Sequence, residues 1–131
     1  MRSALETKKI SARELTGESD YDKIAEKLLR LGPSIVAITL GTDGCLIAGP
    51  KEKVHVPAFK VEVVDTTGAG DAFMGGLSYG LLQGWDLARV ATFANACAAL
   101  CCTKVGARAM SKLAEVVAFI KAKSPAGAAA F

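Results

Sequence analysis

The chain has 131 residues, of which 51% are hydrophobic and 22% are charged. This size and balance predict one folded domain and exclude a disordered chain. The formal net charge of +3 comes from 16 basic and 13 acidic residues scattered along the sequence, which argues against a nucleic-acid partner.

No segment has the character of a membrane span or a signal peptide. The most apolar region, residues 87–102, contains Arg89, Thr92 and Asn95 and is too short to cross a bilayer, so it predicts a buried helix. The first residues are charged and lack the apolar stretch of a signal peptide. We therefore expect a cytoplasmic protein with no membrane partner.

The first half of the chain alternates helix and strand signals. A helix is predicted to start at residues 19–22 and to end at Gly32-Pro33, and its apolar face comprises Ile24, Ala25, Leu28 and Leu31. Residues 35–40 form a nearly continuous apolar run, typical of a parallel strand covered on both faces. Further strands are predicted at residues 45–48, 54–58 and 60–64, the last two at a sheet edge.

Three helices are predicted in the second half, at residues 71–83, 86–103 and 111–123. Asp86 and Ser111 are good N-cap residues for the last two. Gly75-Gly76 lies inside the first and costs about 1 kcal/mol per residue relative to alanine, which predicts close packing against the sheet or a nucleotide. Trp85 is expected to anchor the core. Residues 124–131 form a low-complexity tail that we expect to be disordered.

Four cysteines are present, three of them on one predicted helix. A zinc site would need further cysteine or histidine ligands, and His55 is the only histidine. Buried, reduced thiols are the favoured interpretation, and they agree with a cytoplasmic location. The four residues are Cys45, Cys97, Cys101 and Cys102.

A glycine-rich loop lies between the predicted strand at 60–64, with Val61, Val63 and Val64, and the predicted helix at 71–83. Its amides, from Gly68 to Asp71, and the positive end of the helix dipole would point at one spot, which favours a phosphate. The alternative is an ordinary strand-to-helix turn in which the glycines only supply positive φ.

Two common glycine loops are excluded here. The dinucleotide fingerprint needs a third glycine where Phe73 stands, and a P-loop needs a lysine after its last glycine. Asp71 would repel the anion of a simple phosphate site, but it suits a base that takes a proton from an attacking hydroxyl. The loop therefore predicts phosphoryl transfer.

The sequence around this loop resembles the signature of the PfkB (ribokinase-like) carbohydrate kinases. Residues 35–44 are similar to the family's strand and T-L-G-x-x-G turn, and residues 93–96 and 102–107 to the helix and loop that flank adenine. The resemblance implies an α/β, three-layer ribokinase-like fold, truncated at the N-terminal side. Residues 11–123 would form it, after an unmatched leader at residues 1–10. The signature itself is Asp65-Thr66-Thr67-Gly68-Ala69-Gly70-Asp71-Ala72-Phe73.

The resemblance further implies that the γ-phosphate of ATP, carrying Mg²⁺, is transferred to an alcohol group of a sugar or related molecule. Asp71 would be the catalytic base, and Gly68, Ala69 and Gly70 would form the anion hole. Besides Gly70, the implied ATP contacts are Thr39, Leu40, Gly41, Thr42, Asp43, Gly44 and Asn95. The implied ligands of a monovalent cation such as K⁺ are the Asp65 side chain and the carbonyl oxygens of Thr67, Cys101, Lys104 and Gly106.

The sequence departs from the family pattern in two places. Residues 108–110 replace a Pro-Ser or similar pair, and Lys8 and Ser11 stand where an N-x-x-E motif serves the magnesium-phosphate region. Whole members are also much longer, with most sugar contacts in an N-terminal half. We therefore expect the chain alone to bind ATP weakly and to phosphorylate no sugar. A non-catalytic nucleotide-binding or regulatory fragment is the alternative, and an uncovered sheet edge would favour a homo-oligomer.

Overall fold

The computed structural model describes residues 4–105 and 112–123, which form an α/β unit. A single 3₁₀ turn, Gly41–Asp43, interrupts the strands. In chain order the other elements are β1 (Ala4–Lys8), α1 (Lys9–Thr16), α2 (Tyr21–Leu29), β2 (Ile35–Thr39), β3 (Cys45–Ala48), β4 (Lys53–Val56), α3 (Ala69–Leu82), α4 (Leu87–Cys102) and α5 (Leu113–Lys123).

The four strands form one sheet in the order β1-β2-β3-β4. β1 and β2 are parallel, with Ala4 opposite Ile35 and Lys8 opposite Thr39, and they are joined through α1 and α2. The β2–β3 and β3–β4 pairs are antiparallel. The prediction of a buried parallel strand at 35–40 is confirmed for β2, whose first four residues are all buried.

Side chains that alternate along the strands divide the core into two layers. Val36 and Ile38 pack with Leu46 against α1 and α2, while Ile35 and Ile47 pack against α3 and α4. A third cluster, including Leu100 and Val116, joins α4 to α5. The three-layer arrangement predicted from the resemblance is therefore confirmed.

The structure differs from the sequence predictions at residues 60–64, which form no strand. Val63 and Val64 are more than half exposed, and the Val64 and Asp65 amides both donate to the Cys102 carbonyl oxygen, at 2.8 and 3.1 Å. The segment is thus attached to the end of α4 and not to the sheet. Strand β4 ends at Val56 because Pro57 has no amide hydrogen to continue a ladder.

The segment assigned to an unmatched leader contains β1 and the start of α1. The sequence signal was weak because only Thr7 is buried on β1 and only Ala12 on α1. Both lie among charged neighbours, which hides the periodicity. Residues 4–8 form a parallel strand at the edge of the sheet, paired with β2.

The predicted helix ends agree with the structure within about two residues. Asp20 and Asp86 cap α2 and α4, accepting hydrogen bonds from the amides of Asp22 and Arg89, both at 2.9 Å. Leu31 lies beyond α2 and is 77% exposed, so its assignment to the apolar face was wrong. The Ser111 cap and the tail at 124–131 lie outside the described residues.

The interior glycines of α3 serve helix packing. A Cβ on Gly76 would come within 2.9 Å of the Ala94 Cα, and one on Gly80 within 3.0 Å of a Val90 methyl group. Gly76 therefore lets α3 approach α4, whereas the sequence had predicted packing against the sheet or a nucleotide. A Cβ on Gly75 would meet nothing within 4 Å.

Trp85 packs against the core as predicted, and the prediction of buried thiols holds for Cys45 and Cys101, whereas Cys97 and Cys102 are half-buried. Trp85 packs edge-on against Tyr79 and Phe93, with ring centroids 5.7 and 5.3 Å away. All four cysteines are free, and burial raises the pKa of Cys45 to about 12 and that of Cys97 to about 11. None of the helices in the described part of the chain combines the length and apolar character needed to cross a membrane.

Candidate active site

The glycine-rich loop turns directly into α3 at Gly68. This residue has φ 81° and ψ 0°, a left-handed conformation that glycine adopts without strain. The Ala69 amide donates to the Thr66 carbonyl oxygen at 3.2 Å and the Ala72 amide to that of Gly68 at 2.9 Å. The Gly70 and Asp71 amides lie between these two, in the first turn of the helix. They precede Ala72, whose amide is the first to bond to a carbonyl oxygen one turn earlier, so they have no acceptor within the helix. These two amides and the helix dipole can hold an anion.

The loop is held in shape by its own side chains. Asp65 Oδ1 accepts hydrogen bonds from the Thr67 amide at 2.9 Å and from the Thr67 hydroxyl at 2.6 Å. Together with the bonds from the Val64 and Asp65 amides to Cys102, they tie the loop to the end of α4. The first turn of α3 is therefore positioned before any ligand arrives.

Asp71 lies in this first turn and is exposed to solvent. Its charge reaches Glu6 on β1, whose pKa is raised above its usual value. Burial is the main cause; Lys8 and a hydrogen bond from Thr39 lower this pKa, and Asp71 raises it. The Asp71 carboxylate is thus accessible next to the two amides, as a base acting on a bound acceptor must be.

The end of β1 contributes two groups that sequence reasoning did not assign to the site. The Lys8 side chain passes over Gly70, with its Cε 3.9 Å from where a Cβ on Gly70 would lie. Glu6 Oε1 is buried and has no hydrogen-bond partner in the described residues. The sequence shows Lys8 only as a departure from the N-x-x-E pattern. It does not show that Lys8 ends a strand that pairs with β2 and so lies beside the loop.

The predicted phosphate turn lies at the same end of the sheet. It begins at Thr39, which is opposite Lys8, and closes with a 2.8 Å hydrogen bond from the Leu40 amide to the Gly44 carbonyl oxygen. Gly44 has φ 91°, and a Cβ there would come within 2.0 Å of the Val56 carbonyl oxygen. A ring nitrogen of His55 contacts the Asp43 carbonyl oxygen at 3.0 Å, so His55 braces the turn.

This arrangement brings the predicted residues Thr39, Leu40, Gly41, Thr42, Asp43 and Gly44 to the sheet end that also carries Gly68, Ala69, Gly70 and Asp71. The link is β1, because Lys8 reaches Gly70 and Glu6 interacts with both Thr39 and Asp71. Gly41, Thr42 and Asp43 are exposed and accessible to a ligand. Ligands commonly bind at the carboxyl ends of parallel strands, where β1 and β2 end here.

Asn95, a predicted ATP contact, lies in the core behind this turn. It is 6% exposed, and its side-chain amide donates to the carbonyl oxygens of Val56 at 3.0 Å and Pro57 at 3.2 Å. Both of its donors are therefore engaged in holding the chain after β4. The structure does not bring this amide to the exposed amides of the anion loop.

The predicted cation ligands are neighbours between the loop and the end of α4. The Thr67 carbonyl oxygen accepts a 3.4 Å hydrogen bond from the Cys101 thiol, and the Cys101 carbonyl oxygen accepts one from the Lys104 amide at 3.2 Å. Gly106 lies outside the described residues. Burial is the main cause that raises the pKa of Cys102, and the nearby Cys101 and Asp65 raise it further, so Asp65 lies near the same segment.

The pfkB family carbohydrate kinase model matches residues 3–114, so the chain belongs to this family. The match begins within the segment that sequence analysis had left as a leader. An aminoimidazole riboside kinase from Salmonella typhimurium is 44% identical over 107 residues, covering 76% of this chain and 34% of the relative.

Solved structures with the same fold include two kinases with bound nucleotide. A protein assigned as ribokinase II from E. coli, in complex with ATP and Mg²⁺, has a TM-score of 0.84 at 30% identity, covering 92% of this chain and 39% of that one. A fructokinase from Vibrio cholerae with fructose, ADP and potassium bound has a TM-score of 0.78 at 33% identity, covering 88% and 40%. The chain thus spans between a third and two-fifths of the length of these relatives.

Proposed function

We propose that this chain provides the phosphate-binding and catalytic part of a sugar kinase, which transfers the γ-phosphate of ATP to an alcohol group of a sugar-like acceptor. The observation that carries the proposal is the first turn of α3. There the Gly70 and Asp71 amides lie beside the exposed Asp71 carboxylate, at the sheet end that carries the turn at residues 39–44.

In the proposed reaction, Asp71 accepts the proton of the attacking hydroxyl, so that the oxygen can form a bond to phosphorus while the bond to ADP breaks. The Gly70 and Asp71 amides donate hydrogen bonds to the phosphoryl oxygens as charge shifts among them. Gly68 sets the direction of these amides through its left-handed conformation. The turn at residues 39–44 would lie along the remaining phosphates.

The carboxylates nearest to the phosphates suit a magnesium ion carried by ATP. Nucleotide-bound magnesium is typically held through one or two carboxylates and the phosphates themselves, and it supplies positive charge to the phosphoryl oxygens. Glu6 would be such a ligand, since its buried Oε1 lacks a hydrogen-bond partner in the described residues and its charge interacts with that of Asp71.

For a monovalent cation such as K⁺, Asp65 and the carbonyl oxygens of Thr67, Cys101 and Lys104 remain the proposed ligands, with Gly106. These carbonyls already accept hydrogen bonds at Thr67 and Cys101, but each carbonyl oxygen has a second lone pair. A cation beside the loop would offset the negative charge of Asp65 and support the first turn of α3.

A second candidate is a non-catalytic nucleotide-binding or regulatory module. The observation that favours it is the replacement of the N-x-x-E motif by Lys8 and Ser11, because that motif serves the magnesium-phosphate region in the family. The exposed Asp71 carboxylate favours catalysis instead.

We further propose a cytoplasmic location, and association through the outer edge of β1, which has no partner strand within the described residues.

The test combines calorimetry with an assay of ADP release. We expect the 131-residue chain to bind ATP weakly, and calorimetry with ATP and Mg²⁺ measures this. The chain alone is expected to release no ADP under either candidate, so ADP release across a panel of pentoses, hexoses and nucleosides is measured with the chain joined to the sugar-binding half of a relative. Acceptor-dependent release that is lost in Asp71→Asn supports the kinase, whereas binding without release favours the module. A chain that binds no ATP contradicts both.

A further inference from the structure

Beyond the residues that the family resemblance implies, the end of β1 places a cation at the anion loop. We propose that Lys8 binds the terminal phosphoryl group of the nucleotide, together with the Gly70 and Asp71 amides; the inference rests on the proposed function of this loop. Lys8 would thus be a phosphate-positioning residue at the position where the family's N-x-x-E motif is absent.

The backbone geometry directs Lys8 to the loop. It is the last residue of β1, and the parallel register places it opposite Thr39, where the phosphate turn begins. Its Cε lies 3.9 Å from the position of a Cβ on Gly70, and apart from the residues next to Gly70 and the backbone of α3 it is the only atom of the described residues within 4 Å of that point. The ammonium group, one atom further along, is therefore within reach of a ligand held by the Gly70 amide.

The charges around the loop give this lysine a role. The charges of Glu6 and Asp71 interact across the loop, and two negative charges would repel a phosphate that the amides alone must hold. Lys8 is exposed and forms no ion pair with any carboxylate of the described residues. It is thus the cation at hand to offset these carboxylates and to donate charge-assisted hydrogen bonds to phosphate oxygens.

The neighbouring lysine provides a matched control. Lys9 has the same charge and is also exposed, but it begins α1 and has no atom within 4 Å of the Cβ position at Gly70. Lys8→Met keeps most of the aliphatic stem over Gly70 and removes the ammonium. Lys8→Arg keeps a cation at the site. Lys9→Met removes one charge from the same region without altering the loop.

The experiment measures binding of inorganic tripolyphosphate, a non-hydrolysable ATP analogue and adenosine to the 131-residue chain by calorimetry. Tripolyphosphate reports on the phosphate contacts without the nucleoside. We expect Lys8→Met to weaken tripolyphosphate and the ATP analogue by about tenfold, as the loss of one charge-assisted contact predicts. Lys8→Arg should stay within about threefold of the parent, and Lys9→Met within about twofold. Adenosine binding should not change, and far-UV circular dichroism checks folding.

The outcomes separate this inference from the proposed function. Equal tripolyphosphate binding by the parent and Lys8→Met, or equal losses in Lys8→Met and Lys9→Met, overturns the assignment of Lys8 but leaves the anion loop in place. Lys8-dependent tripolyphosphate binding without binding of the ATP analogue would show that Lys8 contacts phosphate at the anion loop, but it would overturn both the nucleotide as its ligand and the proposed nucleotide site. A chain that binds none of the phosphate probes overturns both.

Discussion

The start and the middle of α3 use glycine for different purposes. At the start, Gly68 sets the backbone direction through its left-handed conformation, and Gly70 lies exposed next to the Lys8 side chain. In its middle, Gly76 and Gly80 are buried and let the backbone of α4 come close. The same residue type thus marks a ligand site in the first case and a packing seam in the second. Exposure of nearby polar groups distinguishes the two.

The largest expected effect is on catalysis at the exposed end. In a preparation that turns over a sugar, Asp71→Asn should lower the rate by roughly 10²–10⁴-fold, because the amide side chain cannot accept the hydroxyl proton. Affinity for an ATP analogue should stay within a few-fold, and the unfolding midpoint should be almost unchanged because Asp71 is exposed. Turnover close to that of the parent would show that Asp71 is not the base.

The buried seam should respond in the opposite way. Gly76→Val should lower the free energy of unfolding by about 1–3 kcal/mol, because a side chain there would collide with the Ala94 backbone and with Cys97. Urea unfolding measures the change. Gly75→Ala, one residue away with open space around it, should be neutral or stabilise by up to about 1 kcal/mol. Equal destabilisation by both variants would mean that close contact with α4 is not what sets the effect.

Asn95 offers a test of whether a predicted ligand contact is a structural residue. Asn95→Ala should lower the free energy of unfolding by about 1–3 kcal/mol, because it leaves the carbonyl oxygens of Val56 and Pro57 without their buried donor. The same variant should bind tripolyphosphate as the parent does. A loss of tripolyphosphate affinity without a loss of stability would instead place Asn95 at the phosphate site.

The smallest expected effect concerns pH. The pKa of Glu6 is raised above its ordinary value of 4.5 in the folded chain, so with rising pH Glu6 ionises first in the unfolded chain. The free energy of unfolding therefore falls as the pH rises above 4.5. Glu6→Gln cannot ionise, so its unfolding midpoint should fall less than that of the parent between about pH 4 and pH 8. Asp71→Asn should reduce the same slope, since Asp71 raises the Glu6 pKa. Parallel curves for the parent and both variants would contradict this coupling.

Much of the fold could be predicted because strong local signals coincide with the burial pattern. The apolar run at residues 35–40 predicted β2 correctly, and the Asp86 cap predicted the start of α4. The strand predicted at residues 60–64 was wrong because a run of valines is also compatible with a segment held by two bonds to the Cys102 carbonyl oxygen. That partner is distant in sequence, so no local pattern reveals it.

The candidate site was predictable where it depends on contiguous residues, and less so where strands bring distant residues together. The run from Asp65 to Phe73 carried the loop and the family assignment. Glu6 and Lys8 were missed because their role depends on β1 pairing with β2, which places them beside a loop more than 60 residues further along the chain. The roles assigned to individual site residues remain predictions.

The Gly70 and Asp71 amides are proposed to bind phosphate, and amide-resolved NMR measures this at each of the two residues. In a titration of ¹⁵N-labelled chain with tripolyphosphate, the signals of these two amides should shift with a common saturation curve. In a second titration with the ATP analogue, the amide signals of residues 40–44 should shift as well. The Gly84 amide, which donates to the Leu81 carbonyl oxygen beyond the far end of α3, is the internal control and should not move. Saturable shifts confined to other parts of the chain, with Gly70 and Asp71 unchanged, would contradict the account.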